Sequence, residues 1–399
     1  QQTAGRLFYF IDSDQEFRVK VQTGLGEQDL YAVNYLAELD RIFCRGDVNI
    51  VTGKVVGDPP VSPAVMAGNF LEDVIGFLHE MSAEAADDAC RFHSLAPESR
   101  GEAAYHDMAA LFGFEPSQEP YPYRCHISGA HDHARCFRVF AAKLNRFFYG
   151  DHPTRKSFYL YTGSDLGMTP ARTIYTGNYV FNAAGLKYFI PFAELRLRMA
   201  GPVLGRLIKA ETGTRFVSAN LPMLHKRTLE QTGQSEFRPG VAQEAGRVDL
   251  SDEFERQYYG DVMLFSMEKL TEEGYPESLL NSEKVRETVE STERIINRQY
   301  KSKHAEIMRK LDVLKALIDD DEKWWNRTPG MEAARQSLFM FVQIIERNYA
   351  SNSDAQMRVN SAEHRERRLS DIADAVHAYP SARKAWEAVL ARHAYRADV

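Results

Sequence analysis

The sequence predicts an α/β fold, with a mostly parallel sheet flanked by helices and a mainly α-helical region behind it. Three observations carry that expectation. Leu7-Phe8-Tyr9-Phe10-Ile11 is an unbroken apolar run, which reads as a strand buried on both faces. Strand-like and helix-periodic segments then alternate as far as about residue 230. Beyond it, strand signals almost vanish and long, charged, amphipathic stretches take over. The expected division is 1–230 for the α/β part and 231–399 for the helical part.

The first strand runs straight into Asp12-Ser13-Asp14. Open α/β sheets bind ligands at the carboxyl ends of their strands, and residues two apart in extended backbone share a face. Both carboxylates can thus reach one cation, and hard oxygen donors at this spacing suit Mg²⁺ or Mn²⁺. The plainer possibility is a strand that ends in a polar turn. Gln15 to Gln28 is polar and glycine-containing, which predicts a loop. Leu30, Val33, Leu36, Leu39 and Phe43 fall at helical spacing and predict an amphipathic helix over 30–43. A strand follows from Asp47 to Gly57, stopped by Pro59-Pro60. Val65 to Met81 reads as a helix.

Between 82 and 160, helical patches surround a proline- and aromatic-rich loop from Glu115 to Tyr123. Beside it, Cys125, His126, His131, His133 and Cys136 lie within twelve residues. Cys125, His131, His133 and Cys136 are donors of the kind that bind zinc, although their spacing matches no familiar paired-cysteine ribbon or finger. The preferred reading is a polar loop near substrate, with Cys136 opening the core face of the next helix. Thr173 to Asn182 is strand-like, interrupted by Gly177-Asn178, where a backbone can approach a ligand closely. Pro191 to Lys209 predicts a helix broken near Gly201-Pro202 and rich in arginine (Arg196, Arg198, Arg206). A short strand over 214–219 precedes Leu221 to Arg227, which carries His225 beside Lys226 and Arg227. Gln231 to Gly246 reads as a linker. Helices are expected over 253–270, 282–317, 331–349 and 361–392.

Composition narrows the function classes. Across 399 residues, 44% hydrophobic and 26% charged content are those of an ordinary globular protein. A net charge of -7 argues against a protein that coats nucleic acid. No apolar stretch reaches membrane-spanning length, and no signal peptide is visible. Four cysteines make no disulfide framework, so a reducing cytoplasm is the expected compartment. A chain that opens with Gln and enters a buried strand within six residues looks cut from something longer. Self-association through the C-terminal helices is a further expectation.

The order of these features is a strand ending Asp-x-Asp, a helix, a Val-x-Gly-Lys-Val strand, a Gly-Asn turn, an acidic and arginine-rich helix, and a strand ending in His. Over about residues 5–228 this resembles the second half of a metal-dependent glycosyltransferase of the GT-A fold, similar to the family-2-like enzymes. The resemblance implies that Asp12, Asp14 and His225 hold Mn²⁺ or Mg²⁺ with a nucleotide sugar. It implies that Gly177 and Asn178 lie beside the donor sugar. Glu194, about thirty positions before the histidine, would face the acceptor. A Rossmann-like, nucleotide-binding half is expected before the Asp-x-Asp strand and is absent from this chain, so the donor's base is not identified by it.

The chemistry can be stated without the family. Sugar transfer requires a diphosphate to leave the anomeric carbon, and a divalent cation neutralises the charge that develops. Arg198, Lys226 or Arg227 can assist. If the reaction inverts, a carboxylate takes the acceptor hydroxyl's proton, and Glu194 is the candidate. If it retains, Glu194 only positions substrate. The plainer roles are a satisfied histidine at a strand end for His225, a helix-start acid for Glu194 and surface ion pairs for the arginines. A dehalogenase-type phosphatase also begins with Asp-x-Asp, but Glu16 stands where Thr or Val is wanted. A sugar-nucleotidyltransferase would share much of the sheet and its metal-binding carboxylates, but it calls for a glycine-rich N-terminal nucleotide loop. A non-catalytic scaffold would keep the α/β domain and use the helical region as a docking module.

Overall fold

A six-stranded sheet carries the expected ligand end in the computed structural model. The structure describes residues 6–12, 15–23, 26–58, 63–93, 123–154, 158–159, 167–174, 177–188, 192–226, 242–244, 247–278 and 280–394. The sheet strands are β1 (Phe8–Phe10), β2 (Gln15–Glu16), β5 (Ile50–Gly57), β6 (Thr169–Pro170), β7 (Tyr179–Phe181) and β8 (Phe216–His225). The order is β1-β7-β5-β8-β2, with β6 also pairing β8. A separate hairpin joins β3 (Val19–Thr23) to β4 (Gly26–Leu30), and a second joins β9 (Ala242–Glu244) to β10 (Arg247–Asp249).

The sheet is mixed rather than mostly parallel. Only β5 and β8 run parallel, while β1/β7, β5/β7, β2/β8 and β6/β8 are antiparallel. An apolar run carries no information about strand direction, nor did it mean burial on both faces here: β1 is an edge strand of half-buried residues. That is why the sequence pattern misjudged it.

The sheet must also curl. β1 and β2 lie on opposite sides of it, yet only four residues separate Phe10 from Gln15. That connection spans at most about 18 Å. Four inter-strand steps of about 4.8 Å, with a lengthwise offset besides, exceed it in a flat sheet. Closure is visible at Gly177, where an added Cβ would lie 2.5 Å from the Gln15 side chain although two strands intervene in the sheet order. A bulge assists: the β5/β8 register shifts between Thr52 and Lys54.

Several elements differ locally from expectation. The predicted loop over 15–28 is β2 and most of a hairpin, in which Val19 and Val21 alternate with Lys20 and Gln22. Helix α1 is Tyr35–Phe43, shorter than expected, because Asn34 caps it by accepting from the Ala37 N–H at 3.1 Å. α2 spans Pro63–Ser82, with proline at its first position. β8 is one strand of ten residues, not two pieces. The expected helix from Pro191 is a short 3₁₀ turn, Ala193–Leu195, followed by α4 (Ala200–Thr212). Gly201-Pro202 falls in the first turn of α4, where a missing N–H costs nothing. The pair starts the helix rather than breaking it.

The remaining helices form the body of the molecule: α3 (His133–Lys143), α5 (Ser251–Glu272), α6 (Ser282–Asp319), α7 (Trp324–Arg327), α8 (Glu332–Tyr349), α9 (Asp354–Asn360) and α10 (Ala362–Ala394). The four long helices expected here match within a few residues, because their 3.6-residue periodicity is sustained. One apolar cluster joins α2 and α3 to α5, α6 and α8, with Phe70, Phe137, Met267, Leu311 and Phe341 all buried. The packing therefore crosses residue 230: segments that fall between the sheet's strands in sequence belong to the helical core. Phe70 stacks on Phe147 at 4.4 Å and meets Phe341 edge-on at 5.5 Å. Truncating such a residue to alanine typically costs about 3–5 kcal/mol. Among the described residues, no helix is long and apolar enough to cross a membrane.

Candidate functional site

The curl gathers residues distant in sequence at one end of the sheet. Asp12 is exposed, and its carbonyl accepts the Gln15 N–H at 3.2 Å, tightening the turn from β1 into β2. Burial, and then the nearby Asp12 charge, raise the Tyr179 hydroxyl to about 12. Gln15 pairs with His225 across β2/β8. His225 is buried, and its Nδ1 lies 2.6 Å from the Asp58 carbonyl. A carbonyl only accepts, so Nδ1 carries the proton and the lone pair sits on Nε2, the tautomer of a metal-binding histidine. The Asp58 N–H returns a bond to the His225 carbonyl at 3.0 Å. Asp14 and Arg227 lie outside the described residues.

Gly177 and Asn178 join this end in different ways. Gly177 has φ 89, a conformation that favours glycine, and faces Gln15 at close quarters. Asn178 is buried and serves the sheet itself. Its side-chain amide donates to the Lys54 and Leu221 carbonyls, each at 2.7 Å, and accepts from the Tyr9 hydroxyl at 2.9 Å. It spans the bulge at Gly53, whose own N–H donates to the Asn178 carbonyl at 2.8 Å. A Cβ on Gly53 would fall 2.3 Å from the Asn178 Nδ2 and 2.4 Å from the Leu221 carbonyl oxygen. Lys226 forms an ion pair with Asp29 at 3.6 Å, and Asp29 also holds Lys20 at 2.8 Å.

Glu194 and Arg198 lie on a strained strap. Phe192, Arg196 and Met199 all have positive φ (42, 51 and 72), three non-glycine residues in the left-handed region within eight positions. The strap is tied to the helical body. Arg256 Nε donates to the Arg196 carbonyl at 2.7 Å, and the Arg198 N–H donates to the Arg256 carbonyl at 3.1 Å. Arg368 reaches the Leu195 carbonyl at 3.3 Å. Gly260 on α5 allows the approach, since a Cβ there would meet the Arg198 carbonyl at 2.6 Å. Glu194 is exposed on its outer side. Among the described residues, no hydrogen bond or ion pair links Glu194 or Arg198 to the sheet-end groups.

A second constellation lies in the helical body. The sulfur atoms of Cys90, Cys125 and Cys136 are within 4.8 Å of one another, and all three residues are buried. His131 Nε2 lies 3.1 Å from Cys125 Sγ, while its Nδ1 lies 2.7 Å from the Gly129 carbonyl. His133, grouped with these residues in the sequence, stands apart. Its Nε2 accepts the Arg91 N–H at 3.1 Å and its Nδ1 donates to the Ala85 carbonyl at 2.9 Å, so both ring nitrogens serve the backbone. A hydrogen bond from Cys136, with lesser help from the Ile127 N–H, pulls the Cys125 thiol well below its usual value. The same contact and burial push Cys136 up, and burial raises Cys90.

Cys90 escaped sequence reasoning because it stands 35 positions before Cys125. The available signal was that it is one of four cysteines in the chain. Gln15 and Gly53 were missed too; only register and the bulge show what they do. No family model matches the chain, and no curated protein or solved structure matches it either.

Proposed function

We propose that this chain is a metal-dependent glycosyltransferase of GT-A type, moving a sugar from a nucleotide-sugar donor to an acceptor hydroxyl of a carbohydrate or small molecule. One observation carries the reading. The sheet curls so that the turn bearing Asp12, the strand end bearing His225 and the close-packed Gly177 meet around Gln15.

The donors fit a divalent cation. Asp12 offers an exposed carboxylate and His225, in its Nδ1–H tautomer, the Nε2 lone pair, a mixed oxygen and nitrogen set compatible with Mn²⁺ or Mg²⁺. Asp14 is the expected third ligand. The cation, when bound, neutralises the charge that develops on the leaving diphosphate. Asp58 fixes the His225 ring, so the imidazole needs no reorganisation. Gly177 lets the backbone close on Gln15 at the donor end, while Asn178 keeps β7 in register beside it. Arg198, on the strap, supplies positive charge toward the diphosphate. In an inverting reaction the exposed Glu194 takes the acceptor's proton; in a retaining one it orients the acceptor. A reducing cytoplasm suits the four free thiols.

The test is a screen of nucleotide sugars for Mn²⁺-dependent hydrolysis or transfer, with Mn²⁺ binding followed by calorimetry. Asp12→Ala and Asp14→Ala should lose both. Turnover near wild type in either variant would overturn the proposal.

A further inference from the structure

The thiol cluster is built like a metal centre in details that packing alone does not demand. Its residues come from three places: Cys90 follows α2, Cys125 and His131 flank the turn before α3, and Cys136 sits in the first turn of α3. Backbone bonds hold these pieces together. The Cys90 N–H donates to the His131 carbonyl at 2.9 Å, and the Cys125 N–H donates to the Phe92 carbonyl at 3.1 Å. Ala89 and Asp132 form an isolated antiparallel bridge beside them.

Two further features point to a soft cation. Cys136 lies at the positive end of the α3 dipole, which favours a thiolate there. His131 gives its Nδ1 proton to the Gly129 carbonyl, so the Nε2 lone pair is presented toward the sulfurs.

The distances suit tetrahedral zinc. With zinc about 2.3 Å from each sulfur and about 2.0–2.1 Å from nitrogen, neighbouring ligand atoms stand about 3.5–3.8 Å apart. The three sulfurs already lie within 4.8 Å of one another; His131 Nε2, 3.1 Å from Cys125 Sγ, lies outside that group and swings toward the other two sulfurs to complete the set. A disulfide would join two of the three thiols and leave the third and the imidazole unexplained.

We propose that Cys90, Cys125, His131 and Cys136 together bind one zinc ion in a closed, structural site that fastens the segment after α2 to the start of α3. Binding releases the remaining thiol protons to solvent and leaves a site of net charge about −1, from three thiolates and one Zn²⁺. Four protein ligands leave no position for substrate. Thiolates select zinc over Mg²⁺ or Mn²⁺, so this centre is chemically distinct from the sheet end.

The experiment is metal analysis of the full chain purified under reducing, chelator-free conditions, paired with cobalt substitution. One zinc per chain is expected. Cobalt should give a thiolate-to-metal charge-transfer band and the intense visible bands of a tetrahedral site. Cys90→Ser and His131→Ala should each lower zinc content several-fold and alter the cobalt spectrum, while His133→Ala and Asp12→Ala should leave both unchanged. Because the cobalt spectrum is read on the wild-type chain, a variant that fails to fold does not blunt the test. Wild-type protein without zinc and with an octahedral cobalt spectrum would overturn the proposal. So would full zinc retention in folded Cys90→Ser and His131→Ala, or a Cys125–Cys136 disulfide in the reduced preparation.

Discussion

The curled sheet and the helical body keep their shape by different means. At the sheet end, hydrogen bonds and close backbone approach do the work: Asn178 laces β7 to β5 and β8, Asp58 and His225 exchange two bonds, and Gly53 and Gly177 leave no room for a Cβ. In the helical body a single large apolar cluster dominates, and some of the polar groups buried with it are paired. There Asp261 accepts from Gln257 at 2.8 Å and from the Tyr300 hydroxyl, and Glu293 accepts from Tyr258 at 2.7 Å and from Arg365. The metal-ligand chemistry divides along the same line. In the two proposals, the exposed Asp12 and His225 would leave coordination positions for a substrate, whereas the buried thiols would close around their ion. An open set of hard donors belongs with turnover, and a closed set of soft ones with stability.

The contrast is broken most sharply by activity. Removing a cation ligand forfeits several kcal/mol of charge stabilisation, so Asp12→Ala should reduce sugar transfer by about a thousandfold at 1.36 kcal/mol per decade. Urea unfolding should be unchanged, because the side chain is exposed. A parallel loss of stability would mean that Asp12 serves the fold. Next in size is chelation. A chelator that strips zinc should lower the wild-type melting temperature, with about 3 kcal/mol lost relative to protein at a hundredfold excess of zinc over its Kd. His131→Ala should start from the lowered value and not respond.

Gly53→Ala probes the sheet from the other side. The new methyl meets a side-chain amide and a backbone carbonyl that are themselves bonded together, so overpacking of about 1–3 kcal/mol is expected by urea titration. Ala at an exposed helical site in α10 provides the control. The smallest effect concerns His304 in the helical body. Burial holds it near a pKa of about 4, down from 6.5, with the Gln356 amide 2.7 Å from its Nδ1. The native state then binds fewer protons than the unfolded chain at mildly acid pH. Stability is complete above pH 6.5 and is lost as pH falls toward 4, about 2 kcal/mol of it between pH 7 and pH 5. His304→Gln should flatten that slope. A slope that persists unchanged would assign the acid sensitivity to another group.

Legibility in the sequence followed the same division. The long helices of the body were found within a few residues, since sustained periodicity is a local property that tertiary packing only reinforces. The strand over 47–57 and the glycine interruption at Gly177 were found for a similar reason. At the candidate sites, residue types were visible but their partners were not. His133 looked as good a zinc ligand as His131, and only the hydrogen bonds to Ala85 and Arg91 remove it. Asn178 looked like a substrate contact, and only the bulge at Gly53 shows it spanning two strands.

What the chain determined by itself was which segments become helix or strand, where the carboxylates and thiols fall, and that one end of the sheet is polar. Burial pattern, capping residues and turn chemistry are encoded over a few neighbouring positions, so they can be read there. Strand direction, the curl that carries Gly177 to Gln15, the joining of α2 and α3 to the C-terminal helices, and the meeting of Cys90 with Cys125 were decided only in three dimensions. Each depends on contacts between residues far apart along the chain, and no local pattern specifies which distant partner closes such a contact.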